Sequence, residues 1–453
     1  LAESRLATSE KLFERVATLA ADAEPRVRMQ VAFTLGEVRD PRATEGLARI
    51  ARNDAADAWI RTAVLSSCAG RAGVLLDTLA ADKEFAAGVP GLDLLHQLAQ
   101  MAGAGKRAVD VGAVLSALSC SAATPSAATE AIALGLAEGL ERSGGSLEEV
   151  RTQADEAARC ALDRLTDSAM KTLVDPQAPS ERRLSAIRWL GYADVPLAGS
   201  PRVDVLDSSA GPLERREAVR SLSRSGDPRV AVLLLERWRA ATPEVRTEML
   251  AALLARKERA GALLDAVESG EIAPGEITPA ARARLRDNGD AQIAVRASAL
   301  LDSNGLGSRR DSIEKFKLAL DLPGDARRGR EVFTKLCAAC HHLAGEGTAI
   351  GPNLALTQIQ LPAELLVSIL DPNREVNPSY FLYTVVTRDG RDLTGIIAAE
   401  STASVTIRQQ TGDVTIQREN IREMTSNGLS LMPEGLEQDL TPQGMADLLA
   451  LLR

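Results

Sequence analysis

The sequence predicts a mainly α-helical protein: an α-solenoid of stacked helix pairs, then a smaller helical segment that carries an inserted antiparallel β unit. Three observations carry that expectation. Ala and Leu dominate the first two thirds of the chain while aromatic residues make up only 3% of the whole, the composition of short packed helices rather than of a sheet sandwich. Related segments recur through the same region with apolar residues at i, i+3, i+4 and i+7, the period of an amphipathic helix. Between Tyr380 and Glu423 the period changes to two, as a half-buried strand requires.

The repeats are visible where Pro25-Arg26-Val27-Arg28 and its Ala/Leu-rich continuation are set beside Ser180-Glu181-Arg182-Arg183, Pro212-Leu213-Glu214-Arg215-Arg216 and Pro243-Glu244-Val245-Arg246. Matched arginines fall at Arg28 and Arg61, then at Arg183, Arg216 and Arg246. Steps of 30 to 33 residues correspond to one helix pair each. Asp40-Pro41 and Asp227-Pro228 supply helix-start signals between members of a pair. One pair cannot bury its apolar face alone, so the pairs are expected to stack. From about 70 to 175 the repeat is degenerate. These units resemble HEAT repeats, in which Asp-Pro-x-Val-Arg leads into an Ala- and Leu-rich helix. Paired arginines such as Arg182-Arg183 and Arg215-Arg216 read as solvated helix faces, with contact to a partner as the alternative.

Two breaks divide the chain. Val195 to Pro212 is rich in Gly, Pro and Ser, and Asp302 to Asp311 is polar. The expected organisation is therefore helical repeats over 1–194, a second helical segment over 212–305, and a separate domain over 322–453 with the β insertion at about 380–423. Strands are expected at Phe381 to Val386, Thr394 to Ala398, Val405 to Gln409 and Val414 to Gln417, with hairpin turns at Asp389-Gly390 and Thr411-Gly412-Asp413.

A net charge of -9 makes nucleic acid and anionic membranes poor partners. No apolar run approaches the roughly 20 residues of a membrane span, so no transmembrane segment is expected in this chain. The sequence begins at Leu1 and reads as a mature protein or a piece of a longer one.

Chemistry concentrates in the last third. Of five cysteines, Cys68, Cys120 and Cys160 lie in Ala/Leu-rich helical stretches and read as buried and inert. Cys337-Ala338-Ala339-Cys340-His341 is different, because Cys-x-x-Cys-His is the attachment sequence for c-type haem. Its spacing sets two sulfurs along one edge of the macrocycle, and the next residue can swing beneath the iron. A dithiol redox pair or half a zinc site are the alternatives; a zinc site needs two more ligands nearby, and only His342 is at hand. His342 follows the proximal ligand directly and is not expected to reach the opposite face. His96, on an apolar helix far away, reads as a satisfied core residue.

The flanks match small cytochromes c. Gly324 to Phe333 reads as a capped helix whose Gly and aromatic pack on the last helix in that family. Gly351-Pro352-Asn353-Leu354 matches the turn in which the Pro carbonyl accepts a hydrogen bond from the ligand histidine. Thr441 and Pro442 open a terminal helix with Leu448, Leu449 and Leu452 on one face. Met424, Met432 and Met445 are candidates for the sixth ligand. Met445 reads as core, Met424 ends a strand-like run, and Met432 lies in the irregular Ser430-Leu431-Met432-Pro433-Glu434 stretch, the favoured position.

From about Leu322 to Arg453 the chain resembles the haem-binding, c-type cytochrome C-terminal domain abundant in exported, membrane-bound dehydrogenase-like proteins of planctomycetes and verrucomicrobia. The resemblance rests on the Gly-Arg-x-x-Phe helix, Cys-x-x-Cys-His, Ile350 to Leu354, Ser368 to Asn373, Asp389-Gly390-Arg391 with Gly395, and Ser430 to Leu436. It implies a cytochrome c-like helical domain preceded by HEAT-like repeats and one covalent haem c. Cys337 and Cys340 would attach it, Pro352 would support it, and His341 and Met432 would ligate the iron. It further implies electron transfer rather than enzymatic turnover, and a periplasmic or otherwise extracytoplasmic location. Redox partners would be a dehydrogenase donor and a cytochrome or membrane acceptor, with the HEAT-like repeats as a protein-binding scaffold. No β-propeller dehydrogenase is visible in the sequence. The competing expectations are peroxidase-like catalysis or sensing with a displaceable sixth ligand, and a binding scaffold under redox control.

Overall fold

The computed structural model describes residues 6, 8–119, 125–207, 210–303, 309–356 and 361–453. Cys120 and half of the expected Asp302 to Asp311 link (304–308) lie outside them. The chain forms two compact units, Leu1–Pro201 and Arg202–Arg453, and is mainly helical with small antiparallel sheets.

In the first unit the apolar spacing of the sequence becomes a run of short helices, among them Pro25–Gly36, Pro41–Asp54, Ala58–Ser67, Ala72–Ala80, Val89–Gly105, Ala127–Arg142, Glu156–Val174 and Ser180–Tyr192. Asp40 caps its helix by accepting from Arg42 N at 2.8 Å, with Pro41 at the first helical position. Helices pack on their next-but-one neighbours, Pro25–Gly36 on Ala58–Ser67 and Val89–Gly105 on Ala127–Arg142. The second of these contacts is very close: a Cβ at Gly139 would lie 2.1 Å from the Gln100 carbonyl, so only glycine admits it. The described residues of the degenerate stretch from 70 to 175 are thus mainly helical, with the repeat signal diluted by small residues that packing demands.

The second unit holds helices Pro201–Asp207, Pro212–Arg224, Arg229–Glu236, Pro243–Leu253, Lys257–Glu268, Pro279–Arg286 and Ala291–Ser303, then the last third of the chain. The break expected over Val195 to Pro212 therefore contains a helix, Pro201–Asp207. The last third has a motif helix (Ala326–Leu336), a short antiparallel pair β1 (His342–Leu343) and β2 (Glu346–Gly347), a helix Pro362–Leu370, a five-stranded sheet and a terminal helix (Pro442–Leu451). The sheet runs β3 (Tyr383–Thr387), β4 (Asp392–Glu400), β5 (Ser404–Gln409), β6 (Gly412–Gln417) and β7 (Ile421–Thr425), in spatial order β6-β5-β4-β3-β7, all antiparallel. The expected insertion ended at 423 with four strands; the fifth, β7, returns beside β3 and carries Met424. Its inward residues Ile421 and Met424 pack against a core of Val385, Val405, Ile407 and Ile416. The turn expected at Asp389-Gly390 is present, with Gly390 at φ of 85°, whereas the second hairpin turns at Gln410-Thr411, one residue earlier than expected, with Gly412 at φ of 126° already paired in β6.

Among the described residues, seven helices share one device: an arginine at the fourth helical position points back toward the N-terminus and donates to a carbonyl ahead of the helix. Arg28 reaches Ala23 O, Arg61 reaches Ala55 O, Arg183 reaches Leu173 O, Arg246 reaches Ala241 O and Arg282 reaches Ile277 O, at 2.6–3.1 Å. Arg159 and Arg215 bond Ala154 O and Ala210 O. The repeat arginine of Pro212–Arg224 is therefore Arg215 and not Arg216, which instead pairs with Glu244 and Glu248 on the next helix but one, Pro243–Leu253. Arg159 and Arg282 complete a series the sequence showed only in part. Nor is Arg215 on a solvated face: it is 7% exposed.

Candidate functional site

The attachment motif is built at the end of the motif helix. Asp325 caps that helix by accepting from Arg327 N and Arg328 N. The helix then crosses the terminal helix at Gly329, where a Cβ would fall 2.1 Å from Asp447 O. Phe333 is fully buried against Leu343 and Leu448, with Leu451, Leu452 and Cys337 packed around it. Arg328 locks the crossing through a two-pronged pair with Asp447 (Nε–Oδ2 2.7 Å, Nη2–Oδ1 2.8 Å), and Asp325 N donates to the same carboxylate at 2.8 Å. The Arg328 guanidinium, aided by these other donors, holds the Asp447 carboxyl down to about 2.

Past Leu336 the chain turns so that Cys340 N and His341 N both donate to Cys337 O, at 3.0 and 2.9 Å. This turn gathers the two thiols and the imidazole. The β1–β2 hairpin then folds residues 348–352 back across the motif: Thr348 N donates to Ala338 O, and Ile350 N and Gly351 N donate to Cys340 O. The fold-back delivers Pro352 O to His341 Nδ1, which donates to it at 2.9 Å. Nε2 is thereby left as the free, acceptor nitrogen. Gly351 lies against the imidazole, where a Cβ would be 2.8 Å from Cε1, so a side chain there would push the ring out of place. His342 is held in β1 opposite Gly347.

Burial, and then the neighbouring Cys340, push the Cys337 thiol up to about 11. A catalytic dithiol needs the opposite, a depressed pKa. Among the described residues no group of three or more His, Cys, Asp or Glu could hold a metal ion, which disfavours the zinc reading. The donor set fits a haem better: two free thiols one turn apart, an imidazole with a fixed tautomer, and an apolar flank on which Leu356 stands 77% exposed.

The structure thus brings Cys337, Cys340, His341 and Pro352 together. Met432 comes from a separate loop, half-buried, its amide donating to Ser430 Oγ at 3.1 Å. Met445 is fully buried in a core with Phe316 and Leu366. His96 lies 3.1 Å from Glu138, on a helix of the first unit. Cys68 is buried, its thiol pushed up to about 12 by that burial, whereas Cys160 is exposed and not the core residue expected. Cys160 lies off the buried face of its helix, which is formed by Ala158, Ala161, Leu162 and Leu165.

Two residues at the motif escaped the sequence reading. Gln410 Nε2 lies 3.8 Å from Cys340 Sγ, and Arg408, held by Asp413 at 2.9 Å through both prongs, reaches Ala349 O at 3.3 Å. Both sit on the β5–β6 hairpin, so the insertion covers one edge of the motif. Nothing local marks them; the only available signal was the hairpin turn that brings them to a tip.

Residues 326–380 match the family model for cytochrome c. That span includes the motif helix, the attachment sequence and the Pro352 turn, and it supports a c-type cytochrome domain with covalent haem and a role in haem-based electron transfer. No curated protein matches the chain. Among solved structures, human deoxyhypusine hydroxylase in complex with glycerol is similar at 17% identity, over 66% of this chain and 96% of that one, with a TM-score of 0.22. At that score the likeness carries no argument. No helix among the described residues is long and apolar enough to cross a membrane.

Proposed function

We propose that the protein transfers single electrons through one haem c, outside the cytoplasm, between a dehydrogenase donor and a cytochrome or membrane acceptor. The observation that carries this reading is the bond from His341 Nδ1 to Pro352 O beside two free thiols. The Cys337 and Cys340 thiols would hold the haem by adding across its two vinyl groups, each sulfur bonding one vinyl carbon while its hydrogen passes to the other. His341 Nε2 would ligate the iron, its basicity raised by the Pro352 carbonyl. Met432 would supply a thioether, a ligand that favours the reduced state. A haem held by these residues would supply one-electron chemistry between ferric and ferrous iron. Periplasmic location follows from the attachment chemistry of the family. The helical repeats, stacked as a HEAT-like solenoid, serve as a scaffold for protein partners.

From Leu322 to Arg453 the chain carries 11 Lys and Arg against 16 Asp and Glu. Docking of a redox partner is accordingly steered in part by charge and slows as salt rises; a transfer rate independent of ionic strength would count against it. The direct test is the absorption of the holoprotein, oxidised and reduced, for wild type and Met432→Ala. The reading predicts a weak long-wavelength sulfur-to-iron band in the ferric wild type that vanishes in the variant. An open or water-bound iron in the wild type would move the case to haem catalysis or sensing.

A further inference from the structure

The loop that carries Met432 is held by a residue from elsewhere in the chain. Asn373 Oδ1 accepts from Ser430 N at 2.8 Å, and Asn373 Nδ2 donates to Glu434 Oε1 at 2.6 Å. The two bonds fall two residues before and two residues after Met432. Between them Leu431 N donates to Tyr380 O at 3.3 Å, and Met432 N turns inward to Ser430 Oγ. A side-chain amide can do both jobs, because one arm accepts from an N–H while the other donates to a carboxylate. An aspartate in its place would set two acceptors, both negative, against each other.

Asn373 is itself backed by the helical repeats. Its own carbonyl lies where a Cβ on Gly275 would come within 2.2 Å. Val376 N donates to Gly275 O at 3.3 Å, and Arg282 Nη2 donates to Arg374 O at 3.0 Å. The segment 373–376 is therefore fixed on one side by the repeat helices and on the other grips the Met432 loop. A thioether is a neutral, weak ligand, so its hold on an iron depends on how well the protein pre-positions it.

We infer that Asn373 is a positioning residue for the sixth ligand, a clamp on the Met432 loop through which the helical repeats set the strength of the sulfur–iron bond. This inference rests on the assignment of Met432 as ligand. The experiment compares holoproteins of the full chain: wild type, M432A, N373A, N373D and the double variant N373D/E434Q. Each is followed by the long-wavelength ferric band, the midpoint potential and the affinity for added imidazole.

Loss of both clamp bonds in N373A weakens the band, lowers the potential and tightens imidazole binding about tenfold, with haem still covalently attached. N373D shows the same changes or larger ones. N373D/E434Q restores both bonds with the second one reversed in polarity, and moves all three readouts back toward wild type; a contribution to folding alone does not predict that recovery. If N373A does not accumulate with haem, N373D against the double variant decides. The clamp is overturned if M432A abolishes the band while N373A leaves band and imidazole affinity unchanged, or if the double variant is no better than N373D. If M432A itself leaves the ferric spectrum unaltered, the ligand assignment fails and the clamp with it.

Discussion

The fourth-position arginine is used one way in Leu1–Pro201 and another in Arg202–Arg453. In the first unit a terminal nitrogen, Nη1, makes the local bond in Arg28, Arg61, Arg159 and Arg183. Further contacts stay among the repeats, as when Arg28 pairs with Asp54. In the second unit Nε makes the local bond in Arg215, Arg246 and Arg282. That rotation frees the terminal nitrogens, and all three arginines spend them on the last third of the chain. Arg215 bonds Glu400 in β4 at 3.0 Å, Arg246 donates to Ser426 O at 3.0 Å, and Arg282 donates to Arg374 O. Arg246 is the most committed: 2% exposed, paired with Glu276 at 2.7 Å, and ringed by Trp238, Phe381 and Tyr383. Tyr383 OH adds a bond to Ala241 O at 2.8 Å. A device that orders one helix start in the first unit thus also joins repeat helices to the last third of the chain in the second.

The largest effect expected from this difference is at Arg246. Arg246→Ala strands Glu276 as a buried, unpaired charge and should cost about 3–5 kcal/mol in denaturant unfolding followed by haem absorbance. R246M combined with E276L should recover most of that loss. Next comes Gly275→Ala, which forces a methyl group against Asn373 O and should cost about 1–3 kcal/mol, with the ferric Met band weakened as well. Arg61→Ala removes one hydrogen bond to Ala55 O and should cost about 1 kcal/mol, with no change in the haem spectrum. Equal losses at Arg61 and Arg246 would break the comparison, since the tertiary partner would then not decide the energy.

A further effect is one of pH. The Asp447 carboxyl sits at about 2 in the folded chain against about 3.9 when unfolded. A depressed pKa gives stability that is complete above the unfolded value and is lost as pH falls through the folded one. Wild type should therefore lose thermal stability between about pH 4 and pH 2 more steeply than Asp447→Asn, and parallel pH profiles would remove Asp447 from the account.

Much of the site was legible because its instructions are short-range. Cys337, Cys340 and His341 are fixed by spacing within one turn, and Pro352 by a turn eleven residues on. The cap at Asp325, the Pro442 helix start and the turn at Gly390 were equally local. The strand β7 was read only as a strand-like run ending at Met424 and was not counted among the strands, because Ile421–Thr425 alternates weakly and is recruited by pairing with β3. Arg215 was misphased by one residue because Arg215 and Arg216 are adjacent, and only the direction of the side chain distinguishes them.

What the sequence by itself determined is the helical character of most of the chain, the period of its repeats and the chemistry of the attachment motif. Each follows from residues close enough to interact through backbone geometry alone. The tertiary structure decided which carbonyls and carboxylates meet the free nitrogens of Arg215, Arg246 and Arg282, that Gln410 lies against Cys340, and that Asn373 grips the Met432 loop. The partners that reach across to or within the last third of the chain are separated by 57 to 185 residues. A side-chain amide or guanidinium has the same local appearance whatever it binds, and burial against a distant surface selects the partner.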